Sequence, residues 1–183
     1  MTRLKQLHKL VLGIAASLVL ACSACAGEVK VTWQEPDNYT DIREGFESRD
    51  AFREQLFSDF ESIFTDLAKR LPQGAVLEVT VTDLDLAGEV SLMHRFVWRD
   101  IRVLKDIYFP RMSFRYTLTD RDQRLLLSGN EDLKDMGFLS SWGRFGTTRF
   151  SFEERMLKNW FRKMQRDGKF PSLEQPRTAP EGR

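Results

Sequence analysis

The segment AVLEVTVTDLDLAG, residues 75–88, decides the fold because its apolar face changes parity partway along. Leu77, Val79 and Val81 alternate with polar residues, which is the pattern of a half-buried strand. Leu84 then continues the apolar series on an even-numbered position. A one-residue slip turns every later side chain to the opposite face. The sequence therefore predicts a bulge, a twist or an exit of the strand between Val81 and Leu84.

Asp83 and Asp85 lie at this change of parity, on one side of the continuing chain. Neighbouring carboxylates of this kind bind a divalent cation, or raise one another's pKa and act as acid and base. Alternatively, Asp83 accepts backbone N–H bonds at a turn that Ala87 and Gly88 complete. The turn is favoured because the ligand spacing of an EF-hand calcium loop is absent.

Amphipathic elements precede this segment. EVKVTW, residues 28–33, alternates apolar and polar residues and predicts a strand. Apolar residues then recur at spacings of three and four, which predicts a long helix. These are Phe52, Leu56, Phe60, Ile63, Leu67 and Leu71. Ser48 or Asp50 can cap the start of this helix, and Pro72 with Gly74 ends it.

A hairpin and a second helix follow. RMSFRYTLTD, residues 111–120, turns through RDQ into RLLLSGNEDL, which indicates an antiparallel pair. Its inward residues are Met112, Phe114, Tyr116 and Leu118. Ser151 and Glu154 match the S-x-x-E capping box of a helix that Gly168 and Pro171 terminate. The apolar face of that helix carries Met156, Leu157, Trp160, Phe161 and Met164. These elements predict an α+β domain, a mostly antiparallel sheet of about four strands packed against two amphipathic helices.

The amino terminus predicts export. Three basic residues precede the apolar run at residues 10–21, which is shorter than the ~20 residues that span a membrane. The small residues before Gly27 follow the A-x-A rule and place signal cleavage after Ala26. We expect a signal peptide at 1–26, one α+β domain at 27–170 and a disordered, proline-containing tail at 171–183.

Cleavage would remove both cysteines and His8, so that His94 would be the one histidine of the mature chain. It would also remove the positive charges of Arg3, Lys5 and Lys9. Taking those three from the 28 Lys and Arg leaves 25 against 27 Asp and Glu. This charge balance lacks the excess of positive charge that is typical of proteins that bind nucleic acid. The alternative to simple cleavage is a lipoprotein, in which Cys22 becomes the lipidated amino terminus of an outer-membrane protein.

The middle segment SLMHRFVWRDIRVLKDIYFP, residues 91–110, interleaves basic and apolar residues. The basic residues are Arg95, Arg99, Arg102 and Lys105. A basic, aromatic ribbon would bind a phosphate, an anionic lipid head or an acidic partner. Because Asp100 and Asp106 interrupt it, the pattern favours an ordinary solvated strand face.

Enzyme signatures are missing from the sequence. It has no nucleophile elbow, phosphate loop, dinucleotide fingerprint or zinc-protease motif. Carboxylates are numerous enough to supply a glycosidase-like pair. The candidates for such a pair are Asp83, Asp85, Asp106, Asp132 and Asp135. The favoured hypothesis is a non-enzymatic periplasmic domain that binds an envelope protein or ligand. The alternative is a hydrolase or metal-assisted enzyme with Asp83, Asp85, Asp106 and Asp135 as ligand or metal residues. No cofactor is predicted beyond a divalent cation at these carboxylates, and no transmembrane helix remains after cleavage.

The order of several short motifs resembles a family of small exported proteobacterial proteins classified as a domain of unknown function. The motifs are PDNYTDIR, LAKRLPQGAVLEVTVTDLDLAGEV, RVLKDIYFPRM, YTL, LKDMGF and EERMLKNWF. The resemblance implies an exported single-domain envelope protein. It implies neither an activity nor a catalytic residue. Its motif positions fall on Asp41, Asp83, Asp85, Gly88, Asp106, Pro110, Asp135 and Trp160.

Overall fold

The computed structural model describes residues 26–43, 48–91, 101–141 and 149–172. Its strands and helices, in chain order, are β1 (Glu28–Trp33), α1 (Arg49–Ala68), β2 (Val76–Asp85), β3 (Glu89–Ser91), β4 (Ile101–Val103), β5 (Arg111–Thr119), β6 (Leu125–Lys134) and α2 (Ser151–Arg166). Short 3-10 turns follow β1 and β6. The predicted signal peptide up to residue 25 and the tail from residue 173 lie outside the described residues.

Among the described residues, four strands form the main sheet, in the order β1-β2-β5-β6. β2, β5 and β6 pair antiparallel, whereas β1 runs parallel to β2, because α1 carries the chain from one strand to the next. The short strands β3 and β4 form a separate antiparallel pair, which the sequence analysis did not predict. The α+β prediction is confirmed.

The predicted change of parity in β2 is a β-bulge. Val81 pairs with Phe114 of β5 and Asp83 pairs with the preceding Ser113, so Thr82 is the extra residue. Both Val81 and the downstream Leu84 are fully buried. The bulge thus keeps odd-numbered residues in the core before it and even-numbered residues after it.

Both helices pack on one face of the sheet. The ring of Phe114 lies 6.1 Å from the ring of Phe64 in α1 and 4.9 Å from the ring of Trp160 in α2, both edge to face. The four predicted inward residues of β5 are all buried. The opposite face is polar, as in the Lys30–Glu78 ion pair at 3.4 Å. The domain therefore has two layers, with its core between the helices and the sheet.

Of the two predicted caps of α1, Ser48 is the one used, and its side chain accepts a hydrogen bond from the Ala51 N–H. The helix ends at Ala68, before the predicted stop at Pro72. Leu71 is buried from the turn that follows.

The predicted capping box of α2 is wrong. The helix begins at Ser151 itself, so Phe150 occupies the N-cap position and provides no side-chain hydrogen bond. Phe150 is buried, with its ring 5.5 Å from that of Phe60, and core packing therefore sets where the helix begins. The predicted stop is confirmed, because Gly168 has a φ of 70° and its N–H donates to the Gln165 carbonyl in a Schellman-type end.

Candidate functional site

The end of β2 is joined to the segment that follows β1. The Asp41 N–H donates to the Leu84 carbonyl at 3.2 Å, and the Leu86 N–H donates to the Asp41 carbonyl at 3.1 Å. This isolated parallel bridge sets Asp41 beside Asp85. Two carboxylates from distant parts of the sequence therefore lie at one end of the sheet.

Asp83 is bound on both carboxylate oxygens by one residue. The Thr40 N–H donates to Oδ1 and the Thr40 hydroxyl donates to Oδ2, each at 2.7 Å. The neighbouring Tyr39 hydroxyl donates to the Val81 carbonyl at 2.9 Å. Burial is the main cause that raises the pKa of Tyr39 to about 12, so this hydroxyl keeps its proton. The hydrogen bonds between Thr40 and Asp83 therefore hold the segment after β1 against the bulge of β2.

Arg102 of β4 lies over the Asp41–Asp85 bridge. Its Nη1 donates to Asp41 Oδ2 at 3.1 Å and to the Gly88 carbonyl at 2.7 Å. Its Nη2 donates to the Arg43 carbonyl at 3.3 Å. The side chain is 24% exposed. For Arg102 the interpretation as a solvated strand face is wrong, because the side chain folds back over the bend after β2; Arg95 and Arg99 lie outside the described residues.

Gly88 makes this bend. Its φ is 81°, and a Cβ at this position would lie 2.8 Å from both the Val103 carbonyl oxygen and the Leu104 Cδ2. Its N–H donates to the Tyr108 carbonyl at 2.8 Å. Only glycine fits both the backbone conformation and the space, so the bend brings Arg102 against the end of β2.

Asp85 is the predicted aspartate whose pKa is raised. Burial is the main cause that raises its pKa; Arg111 opposes this shift, and the nearby Asp41 and Asp83 add to it. The Arg111 Nε lies 3.5 Å from Asp85 Oδ2. We call Asp41, Asp85, Arg102, Arg111 and Glu153 the carboxylate–arginine cluster.

Glu153 is a cluster member that was not predicted from the sequence. It lies in the first turn of α2, is 2% exposed, and accepts the Ala87 N–H at 2.7 Å. Burial raises its pKa, opposed by the Ala87 N–H and by Arg102. The signal was available, because Glu153 occupies the stripe position three and four residues before Met156 and Leu157.

Among the described residues, no hydrogen bond or ion pair joins the other predicted site residues, Asp135 and Asp106, to this cluster. Asp135 pairs with Arg155 at 2.8 Å and its N–H donates to the Pro110 carbonyl at 3.2 Å. Asp106 is exposed in the turn closed by the Tyr108 N–H to Lys105 carbonyl bond. The aspartates that raise the pKa of Asp85 are Asp41 and Asp83, and neither Asp106 nor Asp135 is among its causes.

Asp132, the remaining carboxylate of the proposed catalytic pair, lies on β6. Its pKa is lowered, first by its bond to Lys134, and the Ser113 hydroxyl donates to it at 3.2 Å.

The arrangement at the end of β2 combines buried acids with arginines. In residues 26–43, 48–91, 101–141 and 149–172, no group of three or more histidine, cysteine, aspartate or glutamate side chains is placed to hold a metal ion. Within the cluster, Arg102 donates a hydrogen bond to Asp41, Arg111 forms an ion pair with Asp85 at 3.5 Å, and Glu153 accepts the Ala87 N–H. Within the described residues, the cluster holds the end of β2, β4 and α2 together by hydrogen bonds and ion pairs.

Comparison with known proteins gives one match. A family model described as "Protein of unknown function (DUF3016)" matches residues 27–163 of the 183. No curated protein and no solved structure matches the chain significantly. The resemblance to a domain of unknown function is thereby confirmed.

Proposed function

The chain belongs to the family described as "Protein of unknown function (DUF3016)", and we propose that it is an exported periplasmic protein that acts by binding an envelope partner or ligand. The family description carries no activity, so the binding part of the proposal rests on the chain's own residues. It has two parts, export and binding, and each has its own test.

The binding part is supported above all by the bonded state of two of the predicted acidic residues. Asp83 has both oxygens occupied by Thr40, and Asp135 pairs with Arg155. A general acid, a general base or a metal ligand needs an oxygen that faces its substrate or ion. Carboxylates held by other parts of the same chain instead stabilise a surface that a partner recognises.

Export is supported by the amino-terminal pattern and by the extent of the family match. The positively charged start, the apolar run and the small residues before Gly27 are typical of a signal peptide. The matched family region begins at residue 27, directly after the proposed cleavage site. No described helix has the length and apolar character to cross a bilayer.

Export is tested by fractionating cells that express the full chain and sequencing the amino terminus of the periplasmic product. We expect Gly27 as the first residue. Intact mass distinguishes the lipoprotein alternative, because only that form keeps Cys22 and carries acyl groups. Retention of the full-length chain in the cytoplasm would contradict export.

Binding without a metal is tested by thermal unfolding of residues 27–183, with EDTA and then with calcium, magnesium, manganese or zinc. A ligand at a hundredfold excess over its Kd stabilises the folded state by about 2.7 kcal/mol. We expect no metal-dependent rise in Tm. A rise that is lost in Asp83→Asn or Asp85→Asn, and kept in the exposed control Asp122→Asn, would contradict the proposal and favour the metal-assisted enzyme.

The partner itself is sought with a photo-crosslinking residue at Ile107, which is 62% exposed and adjoins Asp106. Arg121, exposed in the β5–β6 turn, gives the control position. We expect a discrete periplasmic adduct from Ile107 and not from Arg121. Equal labelling from both positions would indicate random collision.

One observation favours the hydrolase as a second candidate function. Burial and two neighbouring aspartates raise the pKa of Asp85, and acids with raised pKa values serve as proton donors. This candidate predicts hydrolysis of an envelope glycan or ester by the purified domain, with turnover lost in Asp85→Asn while the Tm is unchanged. Absence of turnover over a broad substrate panel would contradict it.

A further inference from the structure

The outer edge of β6 is the largest unpaired backbone feature among the described strands. We propose that two copies of the chain pair through this edge, with their β6 strands antiparallel about a twofold axis at Asn130. The main sheet then continues across the axis from one copy into the other. The proposal concerns self-association, goes beyond the proposed function, and does not depend on it.

Hydrogen bonding leaves this edge available. In the part of the chain that the structure describes, β6 pairs with β5 and with no strand on its other side. The Asp135 N–H donates to the Pro110 carbonyl next to the β5 pairing. Because bonding direction alternates along an antiparallel strand, the N–H and C=O groups of Ser128, Asn130 and Asp132 point away from β5.

β6 suits pairing better than the other sheet edge. Its eight residues from Leu127 to Lys134 follow the bulge at Leu126 without a further register shift, whereas β1 has 6 residues. Leu125 and Leu126, which are 62% and 47% exposed, lie at the bulge. A long edge strand with exposed apolar residues and no proline is a template for pairing with another chain.

The occupant is a second copy because β6 is complementary to itself in one register. With Asn130 opposite its own copy, Leu127 lies opposite Leu133, and Ser128 lies opposite Asp132. Each of these pairs occurs twice, as a twofold interface requires. Leu127 and Leu133 are only partly buried in the single chain, so their contact removes further apolar surface from water.

Registers centred further along β6 oppose like charges. Centring the axis on Glu131 sets two glutamates face to face, and centring it on Asp132 sets two aspartates face to face. Like charges directly opposite one another destabilise a strand pair. Charge therefore disfavours these two registers, and the contact between Leu127 and Leu133 favours the one centred on Asn130. One strand pair buries less than the about 1,200–2,000 Å² of a standard interface, so the dimer should be concentration-dependent.

Cysteine crosslinking tests both the contact and its register, because residues 27–183 contain no cysteine. Opposed residues of a hydrogen-bonded antiparallel pair have Cα atoms about 5.5 Å apart, within disulfide range. We expect Asn130→Cys to form a disulfide dimer under mild oxidation. Ser128→Cys alone should stay monomeric, whereas a mixture of Ser128→Cys and Asp132→Cys should crosslink. Thr32→Cys on β1 is the control for random collision.

Sedimentation equilibrium tests the energetics with charge substitutions at an exposed position. In the Ser128→Asp variant, the new carboxylate of each copy would face Asp132 of the other copy, so dimerisation should weaken about tenfold. In the Ser128→Lys variant an opposite charge faces Asp132, and dimerisation should stay the same or become tighter. Thr32→Asp on β1 should change nothing. A wild-type protein that stays monomeric at all concentrations, or a dimer unaffected by Ser128→Asp, would overturn the proposal. A disulfide from Ser128→Cys alone would overturn the register.

Discussion

Asp83 and Gly88 together hold the end of β2 in place, one by hydrogen bonds and the other by the absence of a side chain. Asp83 bonds to Thr40, 43 positions earlier in the chain. Gly88 lets the chain bend so closely that Arg102 donates hydrogen bonds to four backbone carbonyls and to Asp41. Both residues are therefore expected to affect stability, independently of any partner or ligand.

Replacing Asp83 by alanine should lower the free energy of unfolding by about 1–2 kcal/mol, because the Thr40 N–H and hydroxyl lose a charged acceptor. The exposed Asp106→Ala variant should stay within about 0.5 kcal/mol of the wild type. Urea denaturation of both measures the difference. Equal, negligible effects would show that the Thr40 bonds do not contribute to folding.

Two glycines with positive φ allow strain and crowding to be separated. Gly88 has a φ of 81° and a crowded Cβ position, whereas Gly168 has a φ of 70° and nothing within 4 Å. We expect Gly168→Ala to cost about 1–2 kcal/mol, the penalty of the left-handed conformation alone. Gly88→Ala should cost more, because the added methyl also meets Val103. Urea melts that rank the two in the opposite order would contradict this explanation.

At the scale of elements, the two helices begin in different ways. α1 begins with a polar cap, in which Ser48 accepts the Ala51 N–H at 3.3 Å. α2 begins with a buried aromatic residue, Phe150, and its first turn contains the buried Glu153. A polar cap is readable from sequence, but a helix start that is set by packing is not.

Alanine at the two serines tests this difference. Ser48→Ala should destabilise the protein by about 1 kcal/mol, as other N-cap substitutions do. Ser151→Ala should cost less than about 0.5 kcal/mol, because Ser151 is inside the helix and caps nothing. Thermal or urea unfolding measures both. A cost at Ser151 equal to that at Ser48 would restore the capping box.

At the scale of the whole molecule, Glu153 connects α2 to the bend after β2 through a buried carboxyl. Arg102 and Asp85 are the charged groups that act on it. Because its pKa in the folded state is raised above the ordinary 4.5, the folded state binds a proton more tightly than the unfolded chain does. The stability that this proton provides is complete below pH 4.5 and is lost as the pH rises through the raised pKa.

Glu153→Gln removes this titration and leaves an oxygen for the Ala87 N–H. We expect the variant to gain stability relative to the wild type as the pH rises from 4.5 towards neutral. Urea melts across this range measure the difference in stability. Asp85, whose pKa is also raised, is present in both proteins and therefore affects the stability of both. Glu154→Gln, in the same turn but less buried, is the control. A stability difference that does not vary with pH would contradict the raised pKa of Glu153.

The sequence by itself determined the α+β class, the inward faces of β1, β2 and β5, the apolar stripes of both helices and the change of buried face between Val81 and Leu84. Each of these depends on residues within a few positions of one another, so their periodicity is visible along the chain. The tertiary structure alone decided the parallel pairing of β1 with β2 and the carboxylate–arginine cluster. Asp41 meets Arg102 across 61 positions and Glu153 meets Ala87 across 66, and local periodicity does not encode such contacts.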